Sequence, residues 1–220
     1  MRWFQAIENR YSQRDAQFAG IDPMSQALTK LTFEGYLHLG EGSPKYELVN
    51  GILVEMMPPT LAHIRIAKFL ERRFDHEIER MGQPWESYRE VGQRTNEDSS
   101  RLPDVVVVTQ ADAVEVIDRS AIFETPVLLA VEVVSSNWQD DYLHKLAEYE
   151  ALGISEYWIV AYLGLGAARY IGSPKVPTIS IYNLVDGEYQ VRLFRVGDRL
   201  SSRTFPQLDL AVDEFFSAGQ

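Results

Sequence analysis

The residues that constrain the fold most are "PVLLAVEVVSSNWQDDYLHKLAEYEALGISEYWIV", numbered 126 to 160. They begin with a near-continuous apolar run, "VLLAVEVV", which is typical of a strand covered on both faces. A helical pattern follows, for which Ser136 or Asn137 can serve as the N-cap and which Gly153 ends. "SEYWIVAY" then predicts another strand. A strand, a helix and a strand in this order are typical of an α/β sheet with helical covers.

The remaining pattern fits the same architecture. "KYELVNGILVEMM" predicts an N-terminal β-hairpin that turns at Asn50 and Gly51, and "TISIYNLVDGEYQVRLFRV" predicts a C-terminal β-hairpin that turns at Asp186 and Gly187. Between them, a helix capped by Thr60 is expected to run to Gly82. Residues that recur at the 3.6-residue spacing of a helix define one face of it: His63, Ala67, Leu70, Phe74, Ile78 and Met81. We therefore predict an α/β sheet flanked by helices, with a hairpin near each end.

Length and linker composition favour one domain. A chain of 220 residues fits one large domain or two small ones, and it can bury a substantial core. No Pro/Gly/Ser-rich linker follows residue 45, so we expect a single domain over residues 31–220. Residues 1–30 lack a sustained period, and they are expected to form an N-terminal lead-in.

Composition excludes several classes of protein. The absence of cysteine excludes disulfides, cysteine-ligated zinc and a thiol nucleophile, and a reducing cytoplasm is the natural location. No apolar stretch approaches the roughly 18 residues of a membrane span, so no membrane partner is expected. The formal net charge of −11 opposes a broad phosphate-binding surface. Any contact with nucleic acid would therefore be local.

Glu132 raises a chemical question, because it stands among valines in the strand expected to be buried. An ionised carboxylate in such a place must be protonated, paired with a cation or bound to a metal. Alternation along the strand puts Glu132 on one face with Ala130. Lys145, on the next helix, lies at a matching level, and Asp141, Lys145 and Tyr149 follow one another at four-residue spacing on one ridge. An ion pair with Lys145, either structural or catalytic, is therefore expected.

Asp104 extends this group. It follows Pro103 at the start of the predicted buried strand "DVVVV", where a turn or strand-start aspartate would also be ordinary. Two carboxylates on adjacent strands repel each other, and a hard divalent cation between them relieves that repulsion. Asp104, Glu132 and Lys145 together have the chemistry of a metal-dependent phosphodiesterase site.

The segments "RLPDVVVV", "LAVEVVSS", "DYLHKLAEY" and "GISEYWIV", in this order and spacing, resemble the Uma2 family, a branch of the PD-(D/E)XK nuclease superfamily. The resemblance extends from about "TFEGYL" to "VDEFF" and implies a restriction endonuclease-like mixed β-sheet flanked by α-helices. It implies that Asp104 and Glu132 are catalytic ligands of Mg²⁺ or Mn²⁺. The usual lysine position holds Val134, and the Uma2 branch places a lysine on the following helix, where Lys145 stands.

Four further residues are accessory candidates for the site. The resemblance makes Glu47, in the hairpin, a candidate for an extra metal or water contact, although edge glutamates are common. His63 projects from a helix start, where it is either a core histidine or a contact to substrate phosphate. Asp141 and Tyr149 share the ridge of Lys145.

Three functions remain open at the level of sequence. The first is a metal-dependent endonuclease that hydrolyses DNA phosphodiester bonds, and a homodimer is consistent with the cutting of both strands. The second is a catalytically inactive module of the same fold, used for binding or assembly, in which the acidic cluster is a structural ion pair. The third is a metal-dependent hydrolase of a small phosphorylated substrate, which would reconcile the acidic surface with the site.

Overall fold

The structure is a computed structural model that describes residues 30–39 and 45–220. Apart from Lys30, the lead-in expected over residues 1–30 lies outside the described residues. Within the described ranges, no helix combines the length and apolarity that a membrane crossing requires.

The described residues form six α-helices, one π-helix and eleven strands. The helices are α1 Phe33–Leu37, α2 Leu61–Met81, α3 Gln110–Glu115, the π-helix Asp140–Lys145, α4 Leu146–Leu152, α5 Ala168–Ile171 and α6 Val212–Ala218. The strands are β1 Tyr46–Val49, β2 Ile52–Glu55, β3 Trp85–Tyr88, β4 Gly92–Asn96, β5 Ser99–Arg101, β6 Val105–Thr109, β7 Ile122–Phe123, β8 Leu129–Val133, β9 Glu156–Ala161, β10 Thr178–Val185 and β11 Glu188–Phe194.

The larger sheet has six strands in the order β11-β10-β9-β8-β6-β3. Strands β8 and β9 are parallel, and the other neighbours in this sheet are antiparallel. The parallel pair is joined through the π-helix and α4, as the strand-helix-strand pattern predicts. All five residues of β8 are buried, which confirms that this strand is covered on both faces.

Helix α2 covers one face of the larger sheet, and its predicted bounds are confirmed. The Thr60 side chain accepts a hydrogen bond from the His63 N–H, and Gly82 ends the helix in the left-handed conformation. Its apolar residues pack against Leu129, Val131 and Val133 of β8. That packing uses one face of β8 only.

The π-helix and α4 cover the opposite face of the larger sheet, where Ala130 and Val134 of the β8 segment point. The sequence predicts one helix capped by Ser136 or Asn137, and the helical residues begin at Trp138, directly after Asn137. The predicted end at Gly153 is confirmed. The difference from the prediction is that Asp140–Lys145, within this helical segment, form a π-helix.

The N-terminal hairpin belongs to a second sheet, of order β2-β1-β5-β4-β7. Strands β1 and β2 pair antiparallel, and both turn residues, Asn50 and Gly51, have positive φ. Strand β5 pairs with β1 and is separated from β6 by residues 102–104 only. The second sheet is thereby held next to the start of β6. Side chains of β1 and β5 therefore lie near the start of β6.

Truncation of Phe74 tests the packing of α2 on the sheet. Its side chain is fully buried, with its ring centroid 5.1 Å from that of Phe205 and 5.4 Å from that of Trp158. We expect Phe74→Ala to lower the free energy of unfolding by about 3 to 5 kcal/mol in urea denaturation, because the cavity lies between rigid elements. The exposed Arg72→Ala on the same helix is the control, with a change within about 0.5 kcal/mol. Equal effects of the two changes would contradict this account of the core.

Candidate active site

Asp104 is held by backbone contacts at the end of β8. Its N–H donates to the carbonyl of Val131 at 2.9 Å, and its Oδ2 accepts the N–H of Val133 at 2.7 Å. Pro103 restricts the backbone just before it and lacks an N–H of its own. The carboxylate of Asp104 therefore lies beside the last residues of β8, where Glu132 is located.

Glu132 points from β8 towards the π-helix and α4, and it is only 4 % exposed. Its Oε1 accepts a hydrogen bond from the Tyr149 hydroxyl at 3.1 Å and lies 3.0 Å from Nζ of Lys145. The small neighbour Ala130 leaves space on this face of the strand. The expected pairing of Glu132 with Lys145 is thus present, and Tyr149 on the same ridge contributes a second contact.

Lys145 is the point at which three acidic side chains meet. Its ammonium lies 3.0 Å from Glu47, 3.0 Å from Glu132 and 3.7 Å from Asp141, and the residue is 3 % exposed. Asp141 and Lys145 both belong to the π-helix, and they are four residues apart on the same side of it. The ammonium therefore joins β1, β8 and the π-helix.

Arg101 is a second buried cation that sequence reasoning missed. Its guanidinium lies 3.0 Å from Glu47 and 3.4 Å from Asp140, and it is also paired with Glu148 of α4. Its neighbours at strand spacing are Ser99 and Pro103, so no periodic pattern separates it from an ordinary surface arginine. Only the approach of separate segments identifies it.

The buried cluster contains more carboxylates than cations. Lys145 and Arg101 each contact three carboxylates, and Glu47 is common to both, so two cations face five carboxylates. Burial raises the pKa of Glu132 well above its usual range; Lys145 opposes this shift, and the charge of Asp104 adds to it. The site is therefore short of positive charge.

The pKa values of other residues in the cluster are shifted by the same two influences, burial and neighbouring charge. Burial, opposed by Lys145 and reinforced by Asp104, raises the pKa of Asp141 to about 7. Burial alone would lower the pKa of Lys145, but the nearby carboxylates reverse the shift, and its pKa is raised. Burial alone would raise the pKa of Glu47, but Lys145 and Arg101 reverse it, and its pKa is lowered. Lys145 and Glu47 are therefore both charged at neutral pH.

The carboxylates of this cluster suit a hard divalent cation that takes only a few ligands from the protein. In the described residues, no group of three or more His, Asp or Glu side chains is arranged to hold a metal. Mg²⁺ often binds through only one or two carboxylates and keeps several waters. The carboxylates of Asp104 and Glu132 match that requirement, and the charge of Asp104 adds to the effect of burial in raising the pKa of Glu132.

Asp104 is the most exposed of the three proposed catalytic residues. The side chain of Asp104 is 23 % exposed, whereas that of Glu132 is 5 % exposed and that of Lys145 is 4 % exposed. Two surface cavities of about 400 and about 370 Å³ are lined by other residues, around Trp85 and Glu156. Neither of these two cavities is lined by Asp104, Glu132 or Lys145.

Every site residue named from the sequence lies in or next to this cluster. Asp104, Glu132 and Lys145 come together around the end of β8, and their catalytic and metal-binding roles stay predictions. The accessory candidates also lie here: Glu47, Asp141 and Tyr149 through the contacts described above, and His63 through a 2.7 Å contact between its Nε2 and Oδ1 of Asp104.

The pKa of Asp141 generates a test by pH. Because its pKa is about 7 in the folded protein and 3.8 ordinarily, the folded state keeps a proton that the unfolded chain loses between about pH 4 and pH 7. The contribution of Asp141 to stability therefore falls as pH rises through that range. We compare the free energy of unfolding of Asp141→Asn with that of the unmodified protein, both without metal. This difference should shift in favour of Asp141→Asn by about 1 to 3 kcal/mol when the pH is raised from about 5 to about 7.5.

Urea denaturation at both pH values, in the presence of a chelator, measures this difference. The matched control is Glu115→Gln, an exposed acid-to-amide change in α3. If the two proteins differ in free energy of unfolding by the same amount at both pH values, Asp141 is ionised throughout this range.

Comparisons with known proteins agree with this architecture. The model of the Uma2 family, described as "Putative restriction endonuclease", matches residues 33–213. A crystal structure described as a "putative nuclease belonging to DUF820" from Anabaena variabilis ATCC 29413 superposes with a TM-score of 0.68 at 16 % identity, over 86 % of this chain and 99 % of that chain. At this identity the similarity shows the fold alone.

A second structure, the type IIG restriction endonuclease BpuSI, has a TM-score of 0.36 at 11 % identity, over 76 % of this chain and 17 % of that chain, which is too low to support an argument. No curated protein matches the sequence. The family model covers most of the chain and spans all the residues of the cluster. The chain therefore belongs to the Uma2 family.

Proposed function

We propose that this chain is a metal-dependent endonuclease that hydrolyses DNA phosphodiester bonds, with Asp104, Glu132 and Lys145 as its catalytic residues. The observation that carries the proposal is the contact between Lys145 and Glu132 at 3.0 Å, in a cluster short of positive charge beside the partly exposed Asp104. Membership of the Uma2 family supports the reaction class.

Asp104 and Glu132 are the residues that would hold Mg²⁺ or Mn²⁺. Both are anchored: Asp104 by the N–H of Val133, and Glu132 by Tyr149 and Lys145. When bound, such an ion lowers the pKa of a coordinated water and offsets negative charge on a phosphate. The protein contribution is to fix the two carboxylates on adjacent strands, so that little reorganisation is needed.

Lys145 contributes positive charge and orientation. Two of its contacts are at 3.0 Å, and the third, to Asp141 at 3.7 Å, is the longest. In this proposal, a water or a phosphate oxygen entering from the side of Asp104 takes the place of the Asp141 contact. Lys145 then donates to that oxygen and stabilises the charge that develops on it.

The substrate contact is expected to be local. With a formal net charge of −11, the chain repels a polyanion over most of its surface, so affinity must come from the site itself. The partial exposure of Asp104, whose side chain is 23 % exposed, suits contact with a phosphate on the surface of a polymer.

The burial of Lys145 favours a second candidate, a catalytically inactive binding or assembly module. Its ammonium is 3 % exposed and contacts three carboxylates, as in a structural ion pair that joins the two sheets. In that case the cluster would stabilise the fold and take no part in hydrolysis. Cleavage assays separate the two candidates.

Glu132→Gln and Asp104→Asn are the decisive activity variants. We expect each to lower the rate of cleavage of supercoiled plasmid DNA with Mg²⁺ or Mn²⁺ by at least about 10²-fold, because each removes a negative charge on which catalysis depends. Glu115→Gln, the same kind of change at an exposed site, should cleave normally. Nicked and linear products are distinguished on the same gels, which bears on the expected homodimer.

Calorimetry with Mn²⁺ provides an independent reading of the same variants. Identical heats for the unmodified protein and Glu132→Gln would show that the proposed metal site is wrong. No cleavage of any DNA by the unmodified protein, together with absent Mn²⁺ binding, would favour the inactive module.

Lys145→Met tests the structural role of the ammonium. Because the change leaves Glu132 and Glu47 buried without their shared cation, we expect a loss of about 3 to 5 kcal/mol in the free energy of unfolding. The control is Lys68→Met on the exposed face of α2, with a change within about 0.5 kcal/mol. A loss below about 1.5 kcal/mol for Lys145→Met would show that solvent reaches the carboxylates.

A further inference from the structure

His63 contacts the carboxylate proposed as a metal ligand. Its Nε2 lies 2.7 Å from Oδ1 of Asp104, and its side chain is 12 % exposed. From the sequence, His63 could be a core histidine or a contact to substrate phosphate. In the structure the ring contacts an acidic residue of the site, a partner that neither expectation named.

Both oxygens of the Asp104 carboxylate have a partner on a different element. Oδ2 accepts the N–H of Val133 in β8, and Oδ1 contacts His63 in the first turn of α2. A carboxylate accepts hydrogen bonds, so Nε2 of His63 is the donor. Since one partner is in a strand and the other in a helix, the orientation of the carboxylate depends on both.

The helix presents His63 in a defined position. Thr60 caps α2 by accepting the His63 N–H, and the Oγ1 of Thr60 lies 3.3 Å from the hydroxyl of Tyr162, just beyond β9. Ile66 and Leu70, one and two turns further along, are fully buried against the sheet. The first turn of α2 is thus fixed from both sides, and His63 with it.

We propose that His63 is a positioning residue, whose Nε2–H orients the Asp104 carboxylate and thereby sets the affinity of the site for a divalent cation. The proposal rests on the proposed function, in which Asp104 is a metal ligand. Hydrogen bonds to ligating carboxylates typically change metal affinity or activity by about 10- to 100-fold when they are removed.

The experiment is calorimetry with Mn²⁺ on four proteins: the unmodified protein, His63→Ala, His63→Gln and His76→Ala. His63→Ala should bind Mn²⁺ about 10- to 100-fold more weakly. His63→Gln keeps an N–H donor near the position of Nε2, and it should recover most of the affinity. His76→Ala, at an exposed position of the same helix, should bind normally.

Cleavage separates positioning from a purely structural role. Raising the Mn²⁺ concentration should restore plasmid cleavage to His63→Ala, because only the occupancy of the site is reduced. It should not restore cleavage to Glu132→Gln. Wild-type affinity in His63→Ala would overturn the proposal and leave the proposed function intact, whereas an absence of Mn²⁺ binding by the unmodified protein would overturn both.

A metal-free measurement covers the case in which His63→Ala does not fold. A long-range ¹H–¹⁵N NMR spectrum of the unmodified protein should show the proton of His63 on Nε2, and Asp104→Asn should alter that signal. A neutral ring with its proton on Nδ1 would overturn the proposal, since Nε2 would then have no hydrogen to donate to Asp104.

Discussion

The ammonium of Lys145 is the contact at which both sheets and the π-helix meet. It contacts Glu47 from the second sheet, Glu132 from the centre of the larger sheet, and Asp141 from its own π-helix. Arg101 extends the same network by contacting Glu47 and Glu148. Buried ion pairs contribute little net stability against apolar residues of equal volume, but removing one partner is strongly destabilising. Loss of Lys145 would leave Glu132, and loss of Arg101 would leave Glu148, without its buried cation.

The charge balance of this network connects structure with the proposed chemistry. Five carboxylates face two cations in this network, and the charge of neighbouring acids adds to the effect of burial, the main cause of the raised pKa values of Glu132 and Asp141. Protonation relieves the excess at low pH, and a divalent cation would relieve it at neutral pH. The proposed metal site rests on this excess of acid.

The backbone around the cluster is adapted to bring the acids together. Pro103 precedes Asp104, and both the N–H and the carboxylate of Asp104 bond to the backbone of β8. The π-helix interrupts an otherwise α-helical segment and carries both Asp141 and Lys145. Helices of this type occur often at functional sites. His63 completes the group from the other face of the sheet, at the start of α2.

The sequence by itself determined the features that depend on neighbours along the chain. Thr60 and Gly82 predict the bounds of α2 because caps act within one turn, and alternation predicts which face of β8 carries Glu132 because the strand period is two residues. Lys145 could be placed near Glu132 because a short connection returns the helix along its own strand. These parts of the fold and the site follow from local geometry.

Only the tertiary structure decided the features that depend on distant segments. Arg101 pairs with Glu47 across 54 residues and with Glu148 across 47 residues, and no local period marks such contacts. The division of the strands between two sheets, the π-helix within the predicted helix, and the contact of His63 with Asp104 across 41 residues have the same origin. In each case the outcome is set by which buried polar groups find partners in the packed molecule, a condition that no short window of sequence contains.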